Sequence, residues 1–372
     1  MVKLVNYDAE ACQGLRLLAA ALKNLSEAGL SALGMVEQFP DTLLKKILVW
    51  HQGALGDLLL AGPALVAVSH HYTGAGFIGV GQPGRWRLLA GTLPLAAAWD
   101  GGEAVWAGLF QEHGAISATL QKRLVGIDLA LIFSPKPRPT FLARLIQAGV
   151  PQAVWIPSFP EGGVEPVAVV QGRRLHELGI REPLTPFHLR LEAAVEAEAG
   201  FTPDGPVLAM APGSGGAGKN WSLSRYYTVA RALAWDAGLQ VVWLAGPAEA
   251  PLLPYIQGPA AAQEQVVWAN EPLERLVRLL AQTQVYLGGD SGITHLAAAA
   301  GARRVVVLFG PTDPRVWAPW GEQVTVLTPP GGAGQNASLA SLPAAAVFGR
   351  SPPLPVRKIW RVPGRTTEDR EK

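Results

Sequence analysis

Twice along this chain a short apolar run ends in a glycine-containing loop, and an apolar helical stretch follows. Lys46–His51 (KILVWH) leads into the loop Gln52–Gly56 and then into a helix whose first turn can hold Pro63. Val207–Ala211 leads into the loop Pro212–Trp221 and then into a helix over Ser222–Trp235, with Ser222 or Ser224 as its N-cap. Further apolar runs, Gly76–Val80 and Asp128–Phe133, follow the first unit, the second of them ending in the proline-rich SPKPRPT. After the second unit come a strand at Gln240–Leu244 with the turn Ala245-Gly246-Pro247, a helix over Leu273–Gln282 and a strand at Val285–Leu287. A helix over Ile293–Ala300 and a strand at Arg304–Phe309 complete it. Strands alternating with helices imply a parallel sheet covered on both faces. The class is therefore α/β, with two facing, doubly wound, Rossmann-like domains and no short-period repeat.

The chain length of 372 residues suits two such domains. Four segments are expected: a helical extension over 1–43, a first domain over 44–200, a second over 201–328, and a Gly/Ala/Pro-rich tail over 329–372. In the extension, Leu15, Leu17, Leu18, Ala21, Leu22 and Leu25 recur at helical spacing, which serves either a docking helix or one packed on the first domain. The pattern weakens around Glu161–Val170, and Pro183–Gly205 reads as the crossing between domains. Part of the tail is expected to be irregular.

Composition narrows the function. A net charge of +2 gives no support for nucleic-acid binding. Cys12 is the one cysteine, so an intrachain disulfide or a cysteine-rich zinc site is excluded, in keeping with a reducing cytoplasm. No apolar run approaches the roughly 20 residues that span a bilayer, and the first residues lack the pattern of a secretion signal. A cytoplasmic protein with room for a peripheral membrane contact is expected.

Three loops stand where strands end and helices begin, the place where open α/β sheets bind ligands. In His51–Asp57, Gly53 and Gly56 let the backbone turn and approach a ligand, and Asp57 either serves as a general base or caps the helix. In Pro212–Trp221, backbone N–H groups, Ser214 and Lys219 suit a diphosphate. Gly213–Asn220 nearly spells a phosphate loop, but Asn220 lacks the hydroxyl that holds magnesium, which argues against an ATPase. In Gly288–His295, the amides of Ser291, Gly292, Ile293 and Thr294 would open a helix as an anion site. Asp290 either contributes there or caps the helix, and His295 is either a site residue or a core histidine.

In order and spacing over residues 45–320, these loops resemble glycosyltransferase family 9, the heptosyltransferases. The resemblance rests on Leu55-Gly56-Asp57, Pro63-Ala64-Leu65, Pro212-Gly213 with Lys219-Asn220-Trp221, and Gly246-Pro247-Ala248-Glu249. It continues through Asp290–Ala298, Phe309–Pro314 and Trp317-Ala318-Pro319. It implies a GT-B fold with acceptor and donor domains facing across a cleft. The implied reaction is inverting transfer of heptose from an ADP-heptose donor to the inner core of lipopolysaccharide. The donor is a substrate, and neither a tightly bound cofactor nor a metal is expected. By the same resemblance Asp57 is the base, Lys219 holds the diphosphate, Glu249 lies near the donor ribose or sugar, and Asp290 with Ser291–His295 forms the donor loop. The chain departs from the family in His51, where arginine is frequent, and in Gly289, where asparagine is frequent.

Lys122, Arg123, Lys136, Arg138, Arg173 and Arg174 either meet acidic core sugars or form a solvated face. A related transferase with another sugar or acceptor, or a catalytically degenerate nucleotide- or glycan-binding protein, would share much of this pattern. A dinucleotide dehydrogenase would not, since neither half opens with Gly-x-Gly-x-x-Gly.

Overall fold

The computed structural model describes residues 44–191, 203, 205–348 and 354–355. The expected helix within 1–43 lies outside them. Strands β1 (Lys46–His51), β2 (Gly76–Gly81), β3 (Leu95–Asp100), β4 (Leu129–Ser134) and β5 (Gln152–Pro157) form one parallel sheet in the order β3-β2-β1-β4-β5. A second sheet holds β6 (Val207–Ala211), β7 (Gln240–Ala245), β8 (Val266–Ala269), β9 (Thr283–Gly289), β10 (Val305–Leu308), β11 (Val324–Leu327) and β12 (Leu354–Pro355). Its order is β12-β11-β10-β9-β6-β7-β8, with β12 alone antiparallel. Two mostly parallel sheets with helical crossovers make the mixed α/β, GT-B architecture.

The strand order reverses at β1/β4 in the first sheet and at β6/β9 in the second. At such switch points the following loops part and leave a crevice at the carboxyl edge. The three glycine-bearing loops follow β1, β6 and β9.

The crossovers of the first half are α1 (Leu55–Leu60), α2 (Gly62–His71), α3 (Pro83–Arg87), α4 (Ala118–Leu124) and α5 (Pro139–Gln147), followed by α6 (Val167–Glu177). Pro63 sits in the first turn of α2, where its missing N–H costs nothing. The second half carries α7 (Leu223–Ala237), α8 (Leu253–Ala261), α9 (Leu273–Ala281), α10 (Gly292–Ala300) and α11 (Pro314–Trp317). Helix α10 stops at Gly301, whose φ of 91° is the left-handed conformation that glycine takes without strain.

Several elements escaped the sequence reading. The weak stretch around Glu161–Val170 runs into α6, which buries Val167, Ala168, Gln171 and Leu175 on one helical face. Residues 183–191 have no regular structure but are tied to both halves. Phe187 packs where a Cβ on Gly62 would stand, Leu189 N–H donates to Ala299 O at 2.8 Å, and Arg190 N–H donates to Thr92 Oγ1 at 2.8 Å. The described part of the tail holds 3₁₀ turns at Leu339–Ser341 and Ala344–Phe348 and strand β12, and it is anchored: Leu339 and Leu342 are buried, and Trp221 Nε1 donates to Leu342 O at 2.9 Å.

The two halves meet at α1 and α10. Their apolar side chains, Leu58, Leu59, Leu296, Ala297 and Ala299 among them, belong to one continuous core. The backbones approach closely because both helices carry glycine in their first turn. A Cβ on Gly292 would lie 3.2 Å from Gly56 N and from Leu55 Cβ, and one on Gly56 would lie 3.0 Å from His295 Cδ2. A larger side chain at Gly56 must push the helices apart, so Gly56→Val should cost about 1–3 kcal/mol, the usual cost of overpacking. Gly84→Val is the control, because a Cβ there meets nothing. Chemical denaturation checks this: the Gly56→Val midpoint should drop well below that of Gly84→Val, and equal midpoints would contradict the tight junction.

Candidate active site

Asp57 sits in the first turn of α1. Its Oδ2 accepts the N–H of Ala54 at 2.8 Å, so the carboxylate closes the helix start as a cap does. It is half-buried, and burial raises its pKa above the ordinary value; the Ala54 N–H and the charge of Arg85 pull the other way. Asp290 and Lys219, from the opposite half, also act on it, the first raising and the second lowering its pKa. The two halves thus share one electrostatic site.

Across the junction, Lys219 lies in a short 3₁₀ turn, Ala217–Lys219, after β6. Its ammonium donates to Asp290 Oδ2 at 2.7 Å, and Thr312 Oγ1 donates to the same oxygen at 2.7 Å. Ser214 is buried; its hydroxyl lies 2.9 Å from Gly216 O and 2.8 Å from Asn220 Oδ1, within hydrogen-bond reach of both, and this folds the loop back on itself. Asn220 therefore braces the loop at the position where a phosphate loop would hold magnesium. Glu249 ends the turn after β7, is buried, and accepts the N–H of Gly246 at 2.7 Å.

A cavity of about 420 Å³ opens beside these groups at the carboxyl edge of the second sheet. Its walls are mainly apolar, from Leu244, Trp268, Leu273, Leu276 and Ile293, with Leu55 contributed by the first half. Ser214, Glu249, Asn270, Glu271 and Ser291 supply the polar points, and Gly292 completes the floor at the start of α10. The Arg275 guanidinium stacks 4.6 Å above the Trp268 ring and pairs with Glu271 at 2.7 Å, which holds the indole in place. A mostly apolar slot with a few convergent polar groups is the usual form of a small-molecule site.

Of the residues expected at a donor site, Ser214, Glu249, Ser291, Gly292 and Ile293 line this cavity. Lys219 and Asp290 form their ion pair next to it. Thr294 and His295 do not face it. Thr294 is fully buried, its hydroxyl donating to Gly289 O at 2.6 Å and sharing a hydrogen bond with Tyr286 Oη at 2.9 Å. His295 is buried against Gly56 at the junction. Gly53 and Gly56 on the first half crowd Asp57 and His295 respectively. Trp268, Asn270, Glu271, Thr312 and Arg85 were missed. The loop after β2, Gln82-Pro83-Gly84, carried the signal for Arg85, since it too leaves a strand at the carboxyl edge. Among the described residues no group of His, Cys, Asp or Glu gathers as a metal site, and no helix is long and apolar enough to cross a membrane.

Residues 166–338 match the model of Glycosyltransferase family 9 (heptosyltransferase). The fold is similar to that of a glycosyl transferase family 9 protein from Veillonella parvula DSM 2008, at TM-score 0.66 and 16% identity over 86% of this chain and 98% of that one. It is similar to E. coli ADP-heptose lps heptosyltransferase II, at 0.65 and 20% over 82% and 96%. E. coli heptosyltransferase WaaC, solved with ADP, aligns at 0.60 and 19% over 82% and 98%. No curated protein sequence matches the chain. Residues 166–338 thus resemble the family 9 glycosyltransferases, and the chain shares the fold of these solved structures.

Two buried histidines mark the site's dryness. Burial lowers the pKa of His51, and likewise of His295, from 6.5 to about 4, so both rings are neutral near pH 7. Between about pH 6.5 and 4 the unfolded chain binds protons on these rings that the folded chain does not. These two groups therefore make stability fall as pH drops through that window. Ring-proton NMR should show two histidines titrating near pH 4; titration of both near 6.5 would contradict their burial.

Proposed function

We propose that the protein is an inverting transferase that moves heptose from ADP-heptose to a lipopolysaccharide inner-core acceptor. The observation that supports this best is the meeting of Asp57 with the Lys219–Asp290 pair across the junction of the two sheets. An inverting transfer needs a base on the acceptor side and positive charge on the departing diphosphate. Asp57 takes the acceptor hydroxyl proton as its oxygen attacks the anomeric carbon. The C–O bond to the diphosphate breaks, and the leaving oxygen gains the negative charge. Burial makes Asp57 a stronger base than a carboxylate in water, which suits the task.

On the donor side, the apolar slot bounded by Trp268, Leu273 and Leu276 takes the purine, and Glu249 and Asn270 or Glu271 take ribose hydroxyls. The diphosphate lies over the amides opening α10, with Lys219 turning from Asp290 to meet it. No tightly bound cofactor enters. The acceptor proposed here is lipid-linked, so the protein would work at the cytoplasmic face of the inner membrane through a peripheral contact.

Two substitutions separate the roles. Asp57→Asn keeps the shape and removes the proton acceptor: turnover should fall by about 10²–10⁴ while ADP affinity holds. Lys219→Ala should weaken ADP binding by about tenfold to a hundredfold, the worth of one charge-assisted hydrogen bond, and slow turnover as well. Calorimetry with ADP beside single-turnover transfer from ADP-heptose checks both. An Asp57→Asn protein with wild-type turnover would leave Asp57 a helix cap and nothing more.

A further inference from the structure

The first half carries many cations, and several are already engaged. Arg123 pairs with Glu103 at 2.8 Å and lies 4.4 Å over the Trp99 ring. Arg173 pairs with Glu165, and Arg174 with Glu177 at 3.1 Å. Arg144 is buried and donates to Gly108 O and Gly114 O. Lys136 and Arg138 are exposed on the loop after β4.

Arg85 is different. It lies on α3, at the carboxyl edge beyond β2, and β2 is the direct neighbour of β1. Its Nη1 donates to Gly53 O at 2.8 Å, inside the loop that carries Asp57. Neighbouring Trp86 is fully buried and fixes the backbone there. Arg85 is partly buried, and this desolvation works against its charge while Asp57 supports it. Yet among the described residues no carboxylate lies within ion-pair distance of it. A guanidinium has five N–H donors in a rigid fork, and one hydrogen bond to Gly53 leaves most of the fork unused.

We propose that Arg85 is an acceptor-recognition residue, taking a carboxylate or phosphate group of the acceptor sugar and thereby setting the attacking hydroxyl against Asp57. This rests on Asp57 being the base on the acceptor side. The Gly53 carbonyl fixes one arm of the guanidinium, and the remaining arm offers the paired donors that match a planar carboxylate or a phosphate. Because Gly53 belongs to the same loop as Asp57, an anion held on Arg85 is held in register with the base. The selectivity that follows is for an anionic acceptor over a neutral one.

The test uses full-length protein saturated with ADP, titrated by calorimetry with three probes: inorganic phosphate, the methyl glycoside of a 3-deoxy sugar acid, and the methyl ester of that glycoside. Wild type should bind the sugar acid or phosphate, and the stronger of the two identifies the group recognised; the neutral ester should bind at least tenfold more weakly than the acid. Arg85→Gln should lose about tenfold to a hundredfold in affinity for that anion, and Arg85→Lys should recover part of it. ADP affinity should be unchanged in both variants, which also shows that they are folded. An Arg85→Gln protein that binds the anions as wild type does, or a wild type that binds neither, would overturn the proposal. Failure of the Asp57 reading shows itself separately, as wild-type turnover in Asp57→Asn with anion binding still dependent on Arg85.

Discussion

The close approach of Gly56 to Gly292 is the contact on which the site depends. Two helices, one from each half, carry glycine in the first turn at the point where they meet, so these turns come together at backbone distance. Each first turn carries unpaired N–H groups and the positive end of a helix. Asp57 and Asp290 stand at these turns, one from each half, and Lys219 pairs with the second of them. A side chain at either glycine would separate the groups that the chemistry needs together.

Charge around this contact is arranged by partners rather than by solvent. Thr312 and Lys219 converge on one oxygen of Asp290, so the carboxylate has a fixed direction before any ligand arrives. Thr294 is spent inside the start of α10, bonded to Gly289 and Tyr286, and its role is to shape the loop whose amides face outward. His51 and His295 are kept neutral by burial. Arg85, arriving from beyond the neighbouring strand, supplies positive charge to the Asp57 loop.

Much of this was legible in the sequence where burial forces a distinct pattern. KILVWH and VLAMA are continuous apolar runs because central parallel strands are covered on both faces. The glycine-bearing loops after them were visible because tight turns leave few choices of residue. Edge elements were less legible: LAAAWD in β3 lacks β-branched residues, and VVWA in β8 is only one short strand flanked by polar residues. Helix α6 was obscured by its valines and Gly172, which lower helix propensity but pack well against the neighbouring segment. Thr312 acts through Asp290 in another loop, which no local pattern records; Arg85 follows a strand-end loop that could be read, but its partner Gly53 is set by strand order. The same is true of His295, whose spacing suited either a site residue or a core histidine; the packing buries it against Gly56.

A crystal structure of the protein with bound ADP tests the central claim most directly. The account expects the base in the slot beside Trp268 and the diphosphate within about 3 Å, hydrogen-bond distance, of Lys219 Nζ and the amides of Ser291–Ile293, on the side facing Asp57. ADP seated elsewhere, or with its diphosphate turned away from the Gly56–Gly292 junction, would contradict it.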